Sequence, residues 1–234
     1  MSSTTTSIEL LRSMTLSGLV QNEILRGIKA GELTVGAKIN EIELSERLGI
    51  SRSPVREAFR ALEEAGLVRL EKNRGVFIRD LSDDEAAELY EVRAGMDEMA
   101  GRRLAPRITS EQLEELRAMV AQLKASSSSG GGSDYFPLNI AFHDRLVEMA
   151  GNATLLGMYR QVVNRMHLLR RRGFSLSGSS EASHAEHSQI LDALASRDED
   201  ATARAMRQHV ENGFQRAVAA HHLEDQGTPP RSLA

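Results

Sequence analysis

Apolar residues in the first third of the chain repeat at helical spacing and predict three short helices. Residues 19–28 and 42–48 each carry such a stripe, and a glycine closes each of them. A third helix should begin near Ser53 and Pro54, because serine caps helix starts and proline suits the first helical position, where no amide donor is needed. We expect this third helix to span residues 52–64.

The third predicted helix has an apolar face and a basic face. Val55, Phe59 and Leu62 fall on the apolar face and can pack inward. The basic face carries arginines at four-residue intervals, namely Arg52, Arg56 and Arg60. Three guanidinium groups on one face are suited to phosphates or to the edges of guanine bases.

A basic hairpin is expected to follow this helix. Residues 67–70 and 76–78 have the pattern of short strands, joined by a connection that contains Arg74 and Gly75. Three helices and a hairpin in this order predict a winged helix-turn-helix in which residues 52–64 read DNA. The alternative is a solvated basic helix face without a ligand.

Charge is unevenly distributed along the chain. Residues 47–79 hold eight Arg or Lys side chains and four Glu, whereas the whole chain has a formal net charge of −4. The pattern therefore indicates DNA binding through a local basic patch and not through a polycationic chain.

Three stretches in this region carry motifs, namely Ser51-Arg-Ser-Pro-Val-Arg-Glu-Ala-Phe-Arg, Glu64-Ala-Gly-Leu-Val and Asn73-Arg-Gly-Val. They resemble the GntR family of bacterial transcription regulators, over about residues 15–80. The resemblance implies that Arg52 and Arg56 contact an operator and that Gly75 approaches the minor groove. The expected DNA-binding residues are Arg52, Ser53, Arg56, Arg60, Arg74 and Gly75. A second-helix arginine that some members use has no counterpart here, because residues 41–43 are Glu-Ile-Glu.

The composition suits two modest helical domains. The 234 residues are 41% hydrophobic but only 4% aromatic, which favours helices packed through Leu, Ala, Met and Val. The sequence has no cysteine, so disulfides and thiolate metal sites are excluded. We recognise neither a signal peptide nor an apolar run of membrane-spanning length, and we expect a cytoplasmic protein.

After Asp80 the pattern changes to long amphipathic segments, with no convincing strand. Ser82 and Glu85 have capping-box spacing at the start of a helix that should run to about Ala105, where Pro106 stops it. Further helices are predicted at about 109–124, 135–150, 153–172, 181–196 and 199–222, with a flexible Ser/Gly loop at 126–133. The fold class is therefore mainly α, with an N-terminal winged helix-turn-helix and a C-terminal all-helical antiparallel bundle.

These patterns divide the chain into four parts. We expect a disordered N-terminus at 1–14, the winged helix-turn-helix at 15–80, the helical domain at 81–222 and a flexible tail at 223–234. Residues 81–234 carry 17 basic and 22 acidic side chains, so this part of the chain is unsuited to DNA.

Three histidines of the helical domain fall on or beside apolar helix faces. His143 lies one turn after Asn139, while His187 and His209 accompany apolar stripes of their own. Any one of them alone would most often be a hydrogen-bonded core residue. Three inward imidazoles on three helices, however, can converge in a bundle core and suit a divalent metal.

The histidines lie in the stretches Phe142-His143, Glu186-His187-Ser-Gln-Ile-Leu-Asp-Ala-Leu and Ala205-Met206-Arg-Gln-His209. These resemble the FCD effector-binding domain of the GntR family, over about residues 82–222. The resemblance implies a divalent metal held by an Asp and three His, beside a pocket for small carboxylates. Zinc is the expected metal, with nickel, iron or manganese as alternatives. The ligands here would be Asn139, His143, His187 and His209, and the uncharged Asn139 in place of Asp should lower the affinity for metal.

An arginine on the first helix of this domain completes the expected site. Arg93 falls in the stripe of Leu89, Met96 and Ala100, where an unpaired guanidinium would be costly to bury. A bound anion would remove that cost, and the FCD resemblance also implies an arginine near the ligand on this helix. Arg93 is therefore our candidate for a carboxylate clamp, with Arg170 as a second candidate. The alternative role of Arg93 is an ion pair with Glu or Asp on a neighbouring helix.

Together these features predict a ligand-responsive bacterial repressor that binds a palindromic operator as a homodimer. A small carboxylate or sugar acid bound beside the metal would change the affinity for the operator. A dedicated metal sensor would use the same histidines, with the metal as the signal. A helical metallo-hydrolase would need a general base beside metal-bound water, and no Glu or Asp has the required motif spacing, so we do not expect an enzyme.

Overall fold

The computed structural model describes residues 15–128, 132–172 and 181–227, and the chain divides into two compact units after Leu81. The first 14 residues, for which we predicted disorder, and residues 228–234 of the predicted tail lie outside the described residues. Within the described ranges, no helix is both long enough and apolar enough to cross a membrane.

The described part of the first unit contains three helices and a three-stranded antiparallel sheet. Its elements are α1 (Leu16–Ala30), β1 (Lys38–Ile39), α2 (Glu41–Leu48), α3 (Arg52–Glu64), β2 (Val68–Glu71) and β3 (Gly75–Ile78). β3 lies between β1 and β2, and Val76 is paired with Ile39 on one side and Leu70 on the other. We did not predict β1, because a strand of two residues is too short to show a periodic pattern.

The core of this unit contains the inward face predicted for the third helix. Helices α1 and α3 pack against each other through side chains that are at most 3% exposed, namely Val20, Ile24, Ile28, Val55, Phe59 and Leu62. Burial of each large apolar side chain contributes about 1.5–3 kcal/mol relative to exposure. This packing fixes the orientation of α3 and leaves its basic face to solvent.

The predicted range of the third helix, residues 52–64, is confirmed, and the helix begins next to the predicted start near Ser53 and Pro54, but its cap is a different serine. Ser51 is the N-cap residue, with extended backbone, and Arg52 is the first helical residue. Pro54 is therefore the third helical residue. The helix tolerates proline there because amides of the first turn have no acceptor within the helix.

The described residues of the second unit form helices and their connections. The elements are α4 (Asp83–Leu104), a 3-10 turn (Ala105–Arg107), α5 (Ser110–Ser128), α6 (Gly132–Met149), α7 (Ala153–Met166), a second 3-10 segment (His167–Arg172), α8 (Glu181–Ser196) and α9 (Glu199–Gly227). The Ser82 hydroxyl accepts a hydrogen bond from the Glu85 amide, and the Glu85 carboxylate accepts one from the Ser82 amide. The predicted capping box is therefore confirmed.

Some helix ends differ from the predictions. We expected a loop at 126–133, but α5 continues to Ser128 and α6 begins at Gly132, while residues 129–131 lie outside the described ranges. Helix α9 continues to Gly227, five residues into the expected flexible tail. Polar residues such as serine lower helix propensity only modestly, so a helix anchored by packing can extend through them.

Helix α4 packs closely against α9 at Gly101. A Cβ atom at this position would lie 2.7 Å from Met206 Sδ and 3.1 Å from the carbonyl oxygen of Thr202. Gly95, on the same helix, has open space at the corresponding position. The missing side chain at Gly101 therefore allows the two helices to approach each other.

We expect Gly101→Ala to lower the free energy of unfolding of the helical unit by about 1–2 kcal/mol, although alanine is the better helix former. The reason is that the new methyl group would press against the backbone of α9. Gly95→Ala is the matched control and should raise the same free energy by up to about 1 kcal/mol. Urea unfolding measured by circular dichroism checks both variants, and equal stabilisation by the two substitutions would contradict the close approach.

Candidate functional site

The basic face of α3 is exposed, as the sequence predicted. The exposed residues are Arg52, Ser53, Arg56 and Arg60. Helix α3 and the hairpin of β2 and β3 border a groove of about 1000 Å³, whose lining includes Arg52, Arg56, Lys72, Arg74 and Gly75. Four of the six predicted DNA-binding residues thus meet in one basic groove, while Ser53 and Arg60 lie outside its lining. Such a groove suits the phosphates and base edges of DNA.

Glu41, the first residue of α2, contacts two of these arginines. Its Oε1 atom accepts hydrogen bonds from Arg52 Nε at 2.5 Å and from Arg56 Nε at 2.9 Å. From the sequence we noted only that Glu41 and its neighbours include no arginine of the kind that some family members use there. The contact was missed because its partners lie 11 and 15 residues further along the chain.

The hairpin places Arg74 and Gly75 at its turn. Gly75 has a φ of 113°, and a Cβ atom there would lie 3.0 Å from Lys38 Cε, so both the backbone conformation and the space favour glycine. Arg74 pairs with Glu71 at 2.5 Å, and its guanidinium lies 5.7 Å from the centre of the Phe77 ring. The hairpin thus presents an exposed cation, paired with Glu71, beside a backbone that a ligand can approach closely.

Three helices of the second unit bring their histidines together. His143 of α6, His187 of α8 and His209 of α9 are at most 6% exposed. One nitrogen from each ring lies within 4.8 Å of the others, and His143 Nε2 is 3.1 Å from His209 Nε2. The three histidines selected from the sequence therefore form one buried cluster.

Carboxylates lie behind two of the three imidazoles. His209 Nδ1 is 2.8 Å from Glu186 Oε2, so the N–H group at this nitrogen donates a hydrogen bond and Nε2 keeps a lone pair. Asp97 Oδ1 is 3.4 Å from His143 Nδ1 and favours a proton on that nitrogen as well. In this arrangement the two Nε2 lone pairs face each other, and a cation between them would bind both.

Glu186 is held in place by α9. Its oxygens accept hydrogen bonds from Asn212 and Arg216, besides His209, at 2.7–2.9 Å. Burial would raise the pKa of Glu186, but these hydrogen bonds outweigh it and lower the pKa to about 2. The carboxylate therefore stays ionised and fixes the tautomer of His209, as carboxylates commonly do behind metal-bound histidine.

Asp97 of α4 lies beside the histidine cluster and was not among the residues selected from the sequence. Its side chain is fully buried. Burial raises the pKa of this carboxyl to about 6, while the positive charge of Arg93 and the nearby His209 act in the opposite direction. The one sequence signal was its position four residues after Arg93, which places both on the same face of α4.

His187 and Asn139 contribute buried polar atoms that have no hydrogen-bond partner among the described residues. These atoms are both ring nitrogens of His187 and the Oδ1 atom of Asn139. Such atoms are rare in folded proteins, because an unmade buried hydrogen bond is costly. Imidazole and amide oxygen are both metal ligands, so a divalent cation fits the cluster of His143, His187 and His209, and Asn139 offers an amide oxygen one turn before His143 on α6.

The imidazoles are in the protonation state that binds metal. Burial is the largest cause that lowers the pKa of His143, His187 and His209, which keeps the rings neutral. Two imidazole nitrogens bound to tetrahedral zinc at about 2.0–2.1 Å lie roughly 3.3–3.4 Å apart. The Nε2 atoms of His143 and His209 are 3.1 Å apart, so a small outward shift of the rings would accommodate the ion.

Arg93 is linked to the cluster through Asp97. Its Nε atom lies 3.5 Å from Asp97 Oδ2, and its guanidinium lies 6.0 Å from the centre of the Tyr159 ring. From the sequence we considered that Arg93 pairs with a carboxylate on a neighbouring helix. That partner is wrong, because the carboxylate is Asp97, which lies one turn further along α4 itself. The side chain of Arg170, our second candidate clamp, lies outside the described residues.

Two family models match the chain. Residues 16–78 match the bacterial regulatory proteins of the gntR family, and residues 88–212 match the FCD domain. The first match lies within the unit that contains α3 and the hairpin, and the second lies within the unit that contains the histidine cluster.

Several similar proteins are named as transcription regulators. The chain is 32% identical over 179 residues to the Nta operon transcriptional regulator of Aminobacter aminovorans, which covers 76% of this chain and 83% of that protein. It is 30% identical over 206 residues to the probable D-xylose utilization operon transcriptional repressor of Paenarthrobacter nicotinovorans, covering 88% and 89%. The transcriptional repressor RspR of Escherichia coli is 30% identical over 176 residues, covering 75% and 77%.

Solved structures share the fold. McbR/YncC of Escherichia coli has a TM-score of 0.75 at 20% identity and covers 91% of this chain and 99% of its own. A putative GntR transcriptional regulator from Rhodococcus sp. RHA1 has a TM-score of 0.69 at 24% identity, covering 87% and 98%. At these identities the likeness concerns the fold alone.

The family models cover most of the chain, and the relatives align over at least three quarters of their own length. Proteins of this family regulate transcription and are not enzymes, which agrees with the expectation from the sequence. The order of the two units, a winged helix-turn-helix followed by a helical bundle, is also the order of the two family models. The chain therefore belongs to the GntR family of bacterial transcription regulators, and its second unit is an FCD domain.

Proposed function

We propose that this regulator binds a palindromic operator as a homodimer, and that a divalent metal and a small carboxylate in the FCD domain change its affinity for that operator. Regulation of transcription through DNA follows from the family. The observation that supports the finer proposal is the buried cluster of three histidines, two of which have a carboxylate behind the ring.

For DNA recognition, we assign the central role to Arg52 and Arg56. Both are exposed on α3 and line the basic groove. An arginine can donate two parallel hydrogen bonds to guanine O6 and N7, or bind phosphate in the same way. Arg60 and Arg74 would add phosphate contacts, and Gly75 would let the backbone of the hairpin approach the minor groove.

For the metal, we assign His143, His187 and His209 as ligands, with Asn139 as a further oxygen ligand. Zinc is the first choice because neutral imidazole suits it, and nickel, iron and manganese are alternatives. When bound, the metal supplies a positive charge to which a carboxylate can coordinate. Asp97 and Glu186 would orient His143 and His209 toward it.

For the effector, we assign Arg93 as the second contact to the carboxylate. Its 3.5 Å separation from Asp97 is longer than the usual N–H···O distance of about 2.7–3.2 Å. A ligand carboxylate with two shorter contacts can therefore compete for the guanidinium. Such a ligand regulates operator binding only if it binds more tightly to one state of the regulator than to the other.

For the homodimer, an exposed apolar face of α4 is the supporting observation. Val92 and Met99 are 49% and 55% exposed, and their spacing of seven residues places them on one face of the helix. Exposed apolar side chains that share a face often mark an interaction surface. A two-fold dimer would match the symmetry of a palindromic operator.

A dedicated metal sensor is the second candidate, because the three histidines form a site without any organic ligand. In that case operator affinity would follow metal concentration alone. Adding a carboxylate at constant metal concentration distinguishes the two functions, since only the effector-responsive regulator would change its affinity.

Arg52→Ala and Arg56→Ala should each weaken operator binding by about 1–3 kcal/mol. The fold should be preserved, because both side chains are more than half exposed. Fluorescence anisotropy with a duplex selected from random sequences by the parent protein measures the effect. Arg26→Ala, an exposed change on α1, is the control and should leave binding nearly unchanged. If both α3 variants bind the duplex as tightly as the parent protein does, this helix does not carry operator recognition.

The purified protein should bind one divalent ion per chain, and His187→Ala should abolish that binding. Glu186→Gln should weaken it by about 10–100-fold, because the amide no longer fixes the imidazole of His209 as a carboxylate does. Elemental analysis after dialysis and calorimetric titration with zinc measure both effects.

His184→Ala is the matched control for the metal experiment. This residue lies one turn before His187 on α8, and its ring packs against Tyr135 at a centroid distance of 5.7 Å. Its removal should leave the metal content unchanged. If the parent protein binds no zinc or nickel, or if His184→Ala and His187→Ala lose metal equally, the proposed ligand set is wrong.

A further inference from the structure

One carboxylate oxygen connects both arginines at the start of the reading helix. Glu41 Oε1 accepts hydrogen bonds from Arg52 Nε and Arg56 Nε, at 2.5 Å and 2.9 Å. Glu41 is the first residue of α2, directly after the N-cap residue Asn40. The turn between α2 and α3 therefore brings the start of one helix in front of the start of the other.

The contact uses only one of the three nitrogens of each guanidinium. Nε is hydrogen-bonded to Glu41, so the four N–H groups on the two Nη atoms of each arginine stay available for DNA. An arginine reads guanine through two parallel N–H groups, and the two Nη atoms supply such a pair. Glu41 can thus hold both side chains without blocking their recognition of a base.

Stability of the fold does not account for this arrangement. The side chains of Arg52 and Arg56 are 52% and 59% exposed, and ion pairs with such exposed partners contribute little to folding because water screens them. Glu41 is less exposed, at 24%, and its position is fixed by the helix. By contrast Glu43, two residues later, is exposed and makes no ion pair in the described part of the chain.

We propose that Glu41 is a positioning residue that raises the ratio of specific to non-specific DNA binding. It orders the two arginines before DNA arrives, so less conformational freedom is lost when they engage the correct bases. Its negative charge in the basic groove also opposes binding to any phosphate backbone irrespective of sequence. Both effects favour the operator over other DNA.

The inference rests on the proposed operator contacts of Arg52 and Arg56. The experiment therefore distinguishes a failure of the role of Glu41 from a failure of those contacts. Full-length Glu41→Gln has nearly the same shape as the parent but lacks the charge. Affinities are measured for a duplex selected by the parent protein and for a scrambled duplex of the same length and composition. Arg52→Ala and Arg56→Ala are measured with the same pair of duplexes.

We expect Glu41→Gln to weaken binding of the selected duplex by about 5–10-fold and to leave the scrambled duplex unchanged or bound more tightly. Glu43→Gln removes the same charge from the same helix and should leave the ratio of the two affinities at its parental value. Thermal unfolding by circular dichroism should be alike for the two variants, since the pairs that Glu41 makes are largely exposed.

Four results would overturn the inference. If Glu41→Gln tightens binding to both duplexes by the same factor, Glu41 acts only as a repulsive charge. If Glu43→Gln lowers the affinity ratio as much as Glu41→Gln does, the effect belongs to α2 in general. If Arg52→Ala and Arg56→Ala bind the selected duplex as the parent does, the operator contacts are wrong and the inference falls with them. If instead those two variants lose binding while Glu41→Gln behaves as the parent, only the role of Glu41 is refuted.

Discussion

In the FCD domain the Nε2 atoms of two buried imidazoles lie 3.1 Å apart, and the carboxylates of Glu186 and Asp97 lie beside the Nδ1 atoms of the same two rings. The Nδ1–H group of His209 donates a hydrogen bond to the Glu186 carboxylate, so the Nε2 atom of His209 can only accept. If His143 donates from Nε2 to that atom, its own Nδ1 lone pair must face Asp97 at 3.4 Å. If it donates toward Asp97 instead, two lone pairs face each other at 3.1 Å. We propose that His143 and His209 hold a divalent cation, which would remove this conflict because both Nδ1–H groups could then donate to the carboxylates.

Carboxylates also orient the cationic side chains of the DNA-binding unit. Glu41 holds Arg52 and Arg56, and Glu71 holds Arg69 and Arg74, so a carboxylate sets the direction of the cations in the reading helix and in the hairpin. In both units the groups that we propose as ligand contacts are therefore oriented by acidic neighbours. This orientation lowers the conformational entropy that ligand binding would otherwise remove.

Much of the fold could be predicted from local sequence. The apolar face of Val55 and Phe59 fixed the direction of α3, and the spacing of Ser82 and Glu85 marked the start of α4, because both patterns act within one helix. The end of α9 could not be predicted, since packing along the helix decides how far it extends through polar residues.

The site was predictable to a similar extent. Histidines on apolar helix faces identified the cluster, because a polar side chain in a stripe must point inward. Asp97 was missed, since its helix shows no sign that α6 and α9 bring His143 and His209 to it. Glu41 was missed for the same reason, as its partners belong to another helix. Contacts between elements that are distant in sequence depend on packing, which local patterns do not encode.

X-ray absorption at the zinc edge tests the central claim most directly, using protein loaded with one equivalent of zinc per chain. The account predicts scattering from three imidazole rings with Zn–N distances of about 2.0–2.1 Å, together with oxygen ligands. A spectrum of oxygen neighbours without imidazole scattering would contradict it, because zinc would then lie outside the cluster of His143, His187 and His209.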